Sequence, residues 1–187
     1  MSENPRPVED LILQREREYL LGKSRVTMRS SLENIEAGDF KIVSVKEGES
    51  VELPRWAAEE LVDMKLAEMV EEPFETEIFK SLSREKMLGP FQLSPLAQDF
   101  YMRMKRRLHY LTRAAAEGRV RKEEVDRLRV SCYDLIGIRL GKLLSLSSSS
   151  TSISTISDKL TPEERVFFTI AQGFSKEWKE SLLGEKV

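Results

Sequence analysis

The sequence predicts an α+β protein, a small N-terminal β-rich domain followed by a helical bundle domain. Three observations carry this. Short β-prone runs separated by glycine-bearing turns crowd the first 72 residues. Pro73 then marks a boundary, after which every apolar pattern has helical spacing. Thr161-Pro162-Glu163-Glu164 supplies an N-cap, a proline at the first helical position and a capping-box glutamate in succession. The expected domains are therefore 1–72 and 73–187.

In the first domain, Val8 to Leu21 reads as a helix. Val8, Leu11, Ile12, Arg15 and Tyr19 share one side, and Gly22 stops it. Strands are expected at Val26–Ser30, Phe40–Val45 and Val51–Leu53, with a closing strand at Leu66–Val70. The turns fall at Glu36–Asp39, which holds Gly38, and at Lys46–Ser50, which holds Gly48. Pro54 opens a short helix, where its missing N–H costs nothing. Leu53, Pro54, Trp56 and Leu61 are read as the core signature of this domain, with Trp56 and Leu61 burying against the sheet.

Four helices are expected in the second domain. Glu75–Met87 is the first, stopped by Gly89-Pro90. Ser94 as N-cap and Pro95 at the first position open a long helix to about Glu117. Its stripe is Phe100, Met104, Leu108, Leu111 and Ala115. Lys122–Leu146 follows, with Val125, Leu128, Cys132, Leu135, Ile136, Leu140 and Leu143 on an arc wider than one neighbour needs. The serine-rich stretch 145–159 is expected to be a mobile loop that buries little. The last helix carries Phe167, Ile170, Phe174, Trp178 and Leu182 on one stripe.

Charge is uneven. The chain has 30 Lys and Arg against 32 Asp and Glu. Residues 46–77 carry about 11 acids against 3 bases, and residues 101–142 about 12 bases against 5 acids. The basic patch Arg103, Lys105, Arg106 and Arg107, between Tyr101 and Tyr110, raises a nucleic-acid reading for the helix 101–113. Abundant Glu, Lys and Arg point to a thermophilic source.

Catalytic chemistry finds few groups. His109 is the single histidine and Cys132 the single cysteine. One of each makes no two-histidine metal site and no disulfide. Neither a Walker loop nor a dinucleotide-binding glycine pattern is present. No catalytic, metal or cofactor site is expected, and Cys132 reads as a buried thiol. The first residues lack a signal-peptide pattern, and no apolar run approaches a membrane span. A cytoplasmic, nucleoid-associated protein is expected.

Excess apolar helix surface points instead to a partner. Two stretches then resemble a known family: V51-E-L-P-R-W-A-A-E-E-L61 and L160-T-P-E-E-R-V-F-F168. Both are similar to elements of subunits of the GINS replication complex. The β-first order resembles the archaeal subunit type related to the second and third eukaryotic subunits. The resemblance covers nearly the whole chain, apart from the first helix and the serine-rich loop.

The resemblance implies a non-catalytic scaffold. Two copies of such a chain would join two copies of the permuted, helical-domain-first subunit in a heterotetramer. That particle would link the MCM helicase to a RecJ-like factor in chromosomal DNA replication. The candidate interface residues are Phe100, Met104, Leu108, Leu111, Leu128, Leu135, Ile136, Phe167, Ile170, Phe174 and Trp178. Which of them face a partner and which the internal core is left open.

Overall fold

The computed structural model describes residues 7–37, 40–149 and 151–184. The protein is α+β, and it divides into two compact units at Glu72 and Pro73.

The first unit opens with α1 (Pro7–Leu21). β1 (Lys23–Met28) is the centre of a three-stranded antiparallel sheet, between β4 (Ser50–Pro54) and β5 (Ala67–Met69). Alternation along β1 puts Ser24, Val26 and Met28 inside, as a period of two requires. β2 (Leu32–Ala37) pairs with β3 (Phe40–Val45) as a separate two-stranded ribbon. The sequence reading missed β2. Glu33 and Glu36 broke its apolar pattern, and only its pairing with β3 defines it. Of the turn expected there, Gly38 and Asp39 lie outside the described residues. Gly48 takes φ +80, a left-handed conformation that favours glycine, and its N–H bonds the Met28 carbonyl at 2.8 Å.

Helix α2 (Arg55–Asp63) starts directly after Pro54, as expected. Its buried residues are Arg55, Ala57, Ala58 and Leu61, and they close a core with Val26, Met28, Val45, Leu53 and Ala67. Trp56 is a correction: it is 37% exposed. Ala58 and Leu61 take the positions in the sheet core, and the indole is left at its edge. Arg55 is buried in its place. Its guanidinium grips Glu71 at 2.7 and 2.8 Å and lies 4.5 Å from the centre of the Tyr19 ring. Its N–H donates to the Gly22 carbonyl. One arginine thus joins α1, α2 and the segment that follows β5.

The second unit holds α3 (Phe74–Met87), α4 (Phe100–Ala116), α5 (Lys122–Ser147) and α6 (Pro162–Leu183). One apolar core joins Phe74, Ile78, Leu96, Phe100, Met104, Leu111, Val125, Leu128, Cys132 and Leu135. A second joins Leu93, Leu143, Leu146, Ile156, Leu160 and Phe168. The serine-rich stretch also departs from expectation. Helix α5 runs on to Ser147, two 3-10 turns follow at Ile153–Thr155 and Ser157–Lys159, and Ile156 and Leu160 are buried.

Ser94 caps no helix. The residues after it are irregular, and α4 begins only at Phe100. The Ser94 N–H and Oγ–H both donate to the buried Glu85 Oε1, at 2.8 and 2.6 Å. A carboxylate from another helix has taken the hydroxyl that a local cap would have used. At α6 the expected cap is present. Thr161 and Glu164 form a reciprocal capping box with Pro162 at the first turn, and Gly184 closes the helix in the left-handed conformation.

The swap of roles between Arg55 and Trp56 gives a testable contrast. Trp56→Ala should lower the stability of the first unit by no more than about 1 kcal/mol. Ala58→Leu, which overpacks a fully buried site, should cost about 1–3 kcal/mol. Hydrogen exchange of the β1 amides would read this unit alone. A larger effect at Trp56 than at Ala58 would contradict the packing.

Candidate functional site

The most demanding chemistry in the protein is a cluster of four buried charges. Arg139 and Lys142 come from α5, Glu85 from the end of α3, and Glu164 from the first turn of α6. Arg139 lies on α5 between Leu135, of the first core, and Leu143, of the second, so the cluster is a polar seam between two apolar cores. Its NH1 donates to Glu85 Oε1 at 2.6 Å and to the Ser94 carbonyl at 2.8 Å. Its Nε and NH2 fork onto the Glu164 carboxylate at 2.5 and 2.7 Å, and NH2 also reaches the Lys159 carbonyl. Lys142 Nζ donates to Glu85 Oε2 at 2.7 Å and to the Glu85 carbonyl at 2.8 Å. The Tyr101 hydroxyl donates to Glu164 Oε1 at 2.7 Å.

Opposed effects set the charges. Burial pushes the Glu85 carboxyl up, but donors from Lys142 and Ser94 and the Arg139 charge outweigh it, and the net shift is downward. Burial disfavours the Arg139 charge, yet the Glu164 carboxylate holds the guanidinium more firmly protonated than usual. Burial and the adjacent Glu164 charge push the Tyr101 phenol well up. Two acids and two bases sum to zero, and every charge has partners. Such a cluster fixes geometry; there is no sign in it of a group poised to react.

The sequence-derived residues separate clearly. Phe100, Met104, Leu111, Leu128 and Leu135 are buried in the first core, and Leu108 and Ile136 pack against it. The first five interface candidates are therefore consumed inside the unit, while Leu108 and Ile136 are half-buried. Phe167 packs against the second core. Ile170, Phe174 and Trp178 stand exposed, the last two at 65% and 59%, with their rings stacked 6.2 Å apart. Leu182 continues the stripe, also exposed. In all of α6 only Glu164 and Phe168 are buried. Beyond Phe168 the helix runs for roughly 22 Å with no buried residue.

Helix α5 adds a second exposed strip through Val130, Tyr133, Gly137, Leu140, Gly141 and Leu144. A Cβ built on either glycine would meet open space, so no neighbour within the chain demands their smallness. Two mid-helix glycines cost about 1 kcal/mol each relative to alanine.

The basic patch is less free than its sequence suggests. Arg103 is paired with Glu77 at 2.5 Å and Arg107 with Glu75 at 2.7 Å, both acids lying in the first turn of α3. Lys105 is exposed and Arg106 half-buried. His109 is exposed on α4. Cys132 is buried among apolar side chains, which pushes its thiol up to about 11, away from reactivity. Among the described residues no group of three His, Cys, Asp or Glu could hold a metal ion, and no helix is long and apolar enough to cross a membrane.

No protein-family model matches the chain, and no curated protein matches it in sequence.

Sequence reasoning missed the charge cluster, although a signal was present. Arg139 and Lys142 interrupt an otherwise apolar arc on α5 at positions that face inward. A cationic pair there demands buried carboxylates, and Glu85 and Glu164 supply them.

The cluster predicts an acid-labile helical unit. Glu85 has a lowered pKa in the folded state, so its contribution is present above the unfolded carboxylate range and lost as pH falls through the folded value. Glu85→Gln should destabilise the unit by about 3–5 kcal/mol near neutrality, because it strands the Lys142 charge and leaves Arg139 with Glu164 alone. It should also flatten the acid limb of a stability–pH curve. Urea titrations between about pH 3 and 7 would test both; an equally steep acid limb in the variant would contradict this role.

Proposed function

We propose that this chain is a non-catalytic assembly subunit of the GINS type. Two copies would join two copies of the permuted subunit in a particle that links the MCM helicase to a RecJ-like factor during chromosomal replication. The sequence resemblance supplies the family. The observation that carries an assembly role is the exposed distal half of α6. Ile170, Phe174, Trp178 and Leu182 form one exposed apolar stripe, while Gln172 and Lys179 of the same segment bond the Thr151 and Ser148 carbonyls of their own unit. With Val166 the stripe offers on the order of 600 Å² of surface, a large part of the ~800 Å² each partner buries in a stable complex.

In proteins most helical stability comes from packing of an amphipathic face. A partner helix against the stripe supplies that face. The exposed α5 strip suits a close helix approach, because Gly137 and Gly141 leave room for a backbone. The nucleic-acid reading through residues 101–113 is weaker, since Glu77 and Glu75 already neutralise Arg103 and Arg107.

Co-expression with a permuted GINS subunit, followed by size-exclusion chromatography and light scattering, tests the proposal. The expected result is a four-chain particle. Trp178→Glu and Phe174→Glu should weaken it by at least about tenfold while leaving the helical content unchanged. A monomer that ignores the partner would overturn the proposal, as would a particle indifferent to both substitutions.

A further inference from the structure

The helical unit is built in two parts that meet at one place. Among the described residues, the whole first core lies between Phe74 and Ile136. The second core is different. Ile153, Ile156, Leu160, Phe167 and Phe168, from the 3-10 turns and α6, pack there on Leu93, Leu143 and Leu146. The stretch 153–183 is thus added to a helical body that has a core without it. Its polar anchors gather at one point. Arg139 holds Glu164 and the Lys159 carbonyl, Tyr101 donates to Glu164, and Gln98 donates to the Leu160 carbonyl at 3.2 Å. Arg139, Tyr101, Gln98, Leu93, Leu143 and Leu146 make a socket, and the stretch 153–183 is its plug.

A short link, 148–152, joins the plug to α5. It is made of four serines and a threonine and has no apolar side chain. Its Ser149 and Thr151 hydroxyls bond each other at 2.7 Å. Lys179 and Gln172 of α6 reach its main chain at the Ser148 and Thr151 carbonyls, and these are the bonds an exchange rearranges.

We infer that two copies of this chain exchange the segment 153–183, so that Arg139 of each copy receives Glu164 of the other. The socket selects that occupant. Emptied of Glu164, it holds Arg139, Lys142 and Glu85, a net positive charge buried between two apolar cores, which is strongly disfavoured. Whatever fills it must bring a carboxylate in the first turn of a capped helix and an aromatic side chain one turn later. Glu164 and Phe168 are that pair, and a second copy supplies them unchanged. The closed and exchanged forms make the same buried contacts, so the balance between them rests on the link and on concentration. Fully extended, the link spans about 17 Å, more than the 8–10 Å or so between packed helices, so it can carry the segment clear of its own α5. The exchange uses the base of α6 and leaves the stripe of Ile170, Phe174, Trp178 and Leu182 as it is. It therefore stands apart from the assembly reading.

The test pairs two whole-chain variants that each spoil their own closure. Arg139→Glu sets three acids around Lys142, and Glu164→Arg sets three bases around Glu85. Refolded together, they should form a one-to-one dimer. One socket regains its native pair, and the other holds the same pair with its charges reversed. Light scattering should show the dimer, and the mixture should melt at least about 5 °C above either variant alone. No dimer, or a mixture that melts with its parts, would overturn the inference.

The link gives a second, independent reading. Deleting 149–151 should convert the otherwise unmutated chain to a dimer with unchanged circular dichroism, because a shortened link cannot turn back but can still cross over. A folded monomer would contradict the exchange. So would an unfolded chain, since the exchanged dimer does not need the turn. The dimer should also survive Trp178→Glu. Its loss with that substitution would reassign it to the α6 stripe and sink the exchange.

Discussion

The helical unit depends on one side chain, Arg139. It projects from the middle of the longest helix and gathers the end of α3, the Ser94 carbonyl, the Lys159 carbonyl and the first turn of α6. Removing a guanidinium, an ammonium and two carboxylates from water costs several kcal/mol per ion. Coulomb attraction and the dense set of hydrogen bonds offset that cost without leaving a large surplus. An apolar cluster of the same volume would stabilise the fold at least as well. What the charges add is direction. A leucine packs against many neighbours at many angles, whereas the forked guanidinium donates to Glu164 in one plane and to Glu85 on one edge. The seam between two apolar cores therefore ties α3, α5 and the start of α6 through directional bonds.

Glu164 shows how local and tertiary order share atoms. Its Oε2 accepts the Thr161 N–H in the capping box, and the same oxygen accepts Arg139 NH2. Its Oε1 accepts Tyr101 and Arg139 Nε. The start of α6 is thus fixed as strongly as any point in the unit, while nothing past Phe168 is buried. The cluster anchors the base of α6, and the exposed stripe of Ile170, Phe174, Trp178 and Leu182 begins two residues beyond the last buried position of the helix. The same cluster steadies the end of α3.

Much of this architecture was legible in the sequence, for identifiable reasons. The α6 cap was read correctly because Thr161, Pro162 and Glu164 act within four consecutive positions. The start of α2 was legible because Pro54 restricts the backbone on its own. What failed was non-local. Ser94-Pro95 has the local form of a helix start, but its hydroxyl answers to Glu85 on another helix. Trp56 was assigned to the core by size, yet α2 presents Ala58 and Leu61 to the sheet core, and Arg55 proved the buried neighbour. Strand β2 has no apolar rhythm of its own and exists through its pairing with β3. The exposed stripe of α6 was visible as a pattern, but its exposure was not, because a stripe facing a core and one facing a partner have the same spacing.

The charge asymmetry of the chain shows how linear counting misleads. Residues 46–77 look acidic and residues 101–142 look basic. The acidic run ends in the first turn of α3, and the basic run begins on α4, which packs alongside. Glu75 and Glu77 meet Arg107 and Arg103 there, so the two runs partly cancel where they touch. Further down α4 and α5 the basic residues also find acids close by, as Arg119 does at Glu117, Arg121 at Glu124 and Arg129 at Asp126. A phosphate approaching this surface would compete with carboxylates already in place, and exposed pairs of this kind leave little field beyond a Debye length. The excess of basic residues counted along the sequence is therefore no measure of the positive field this surface presents.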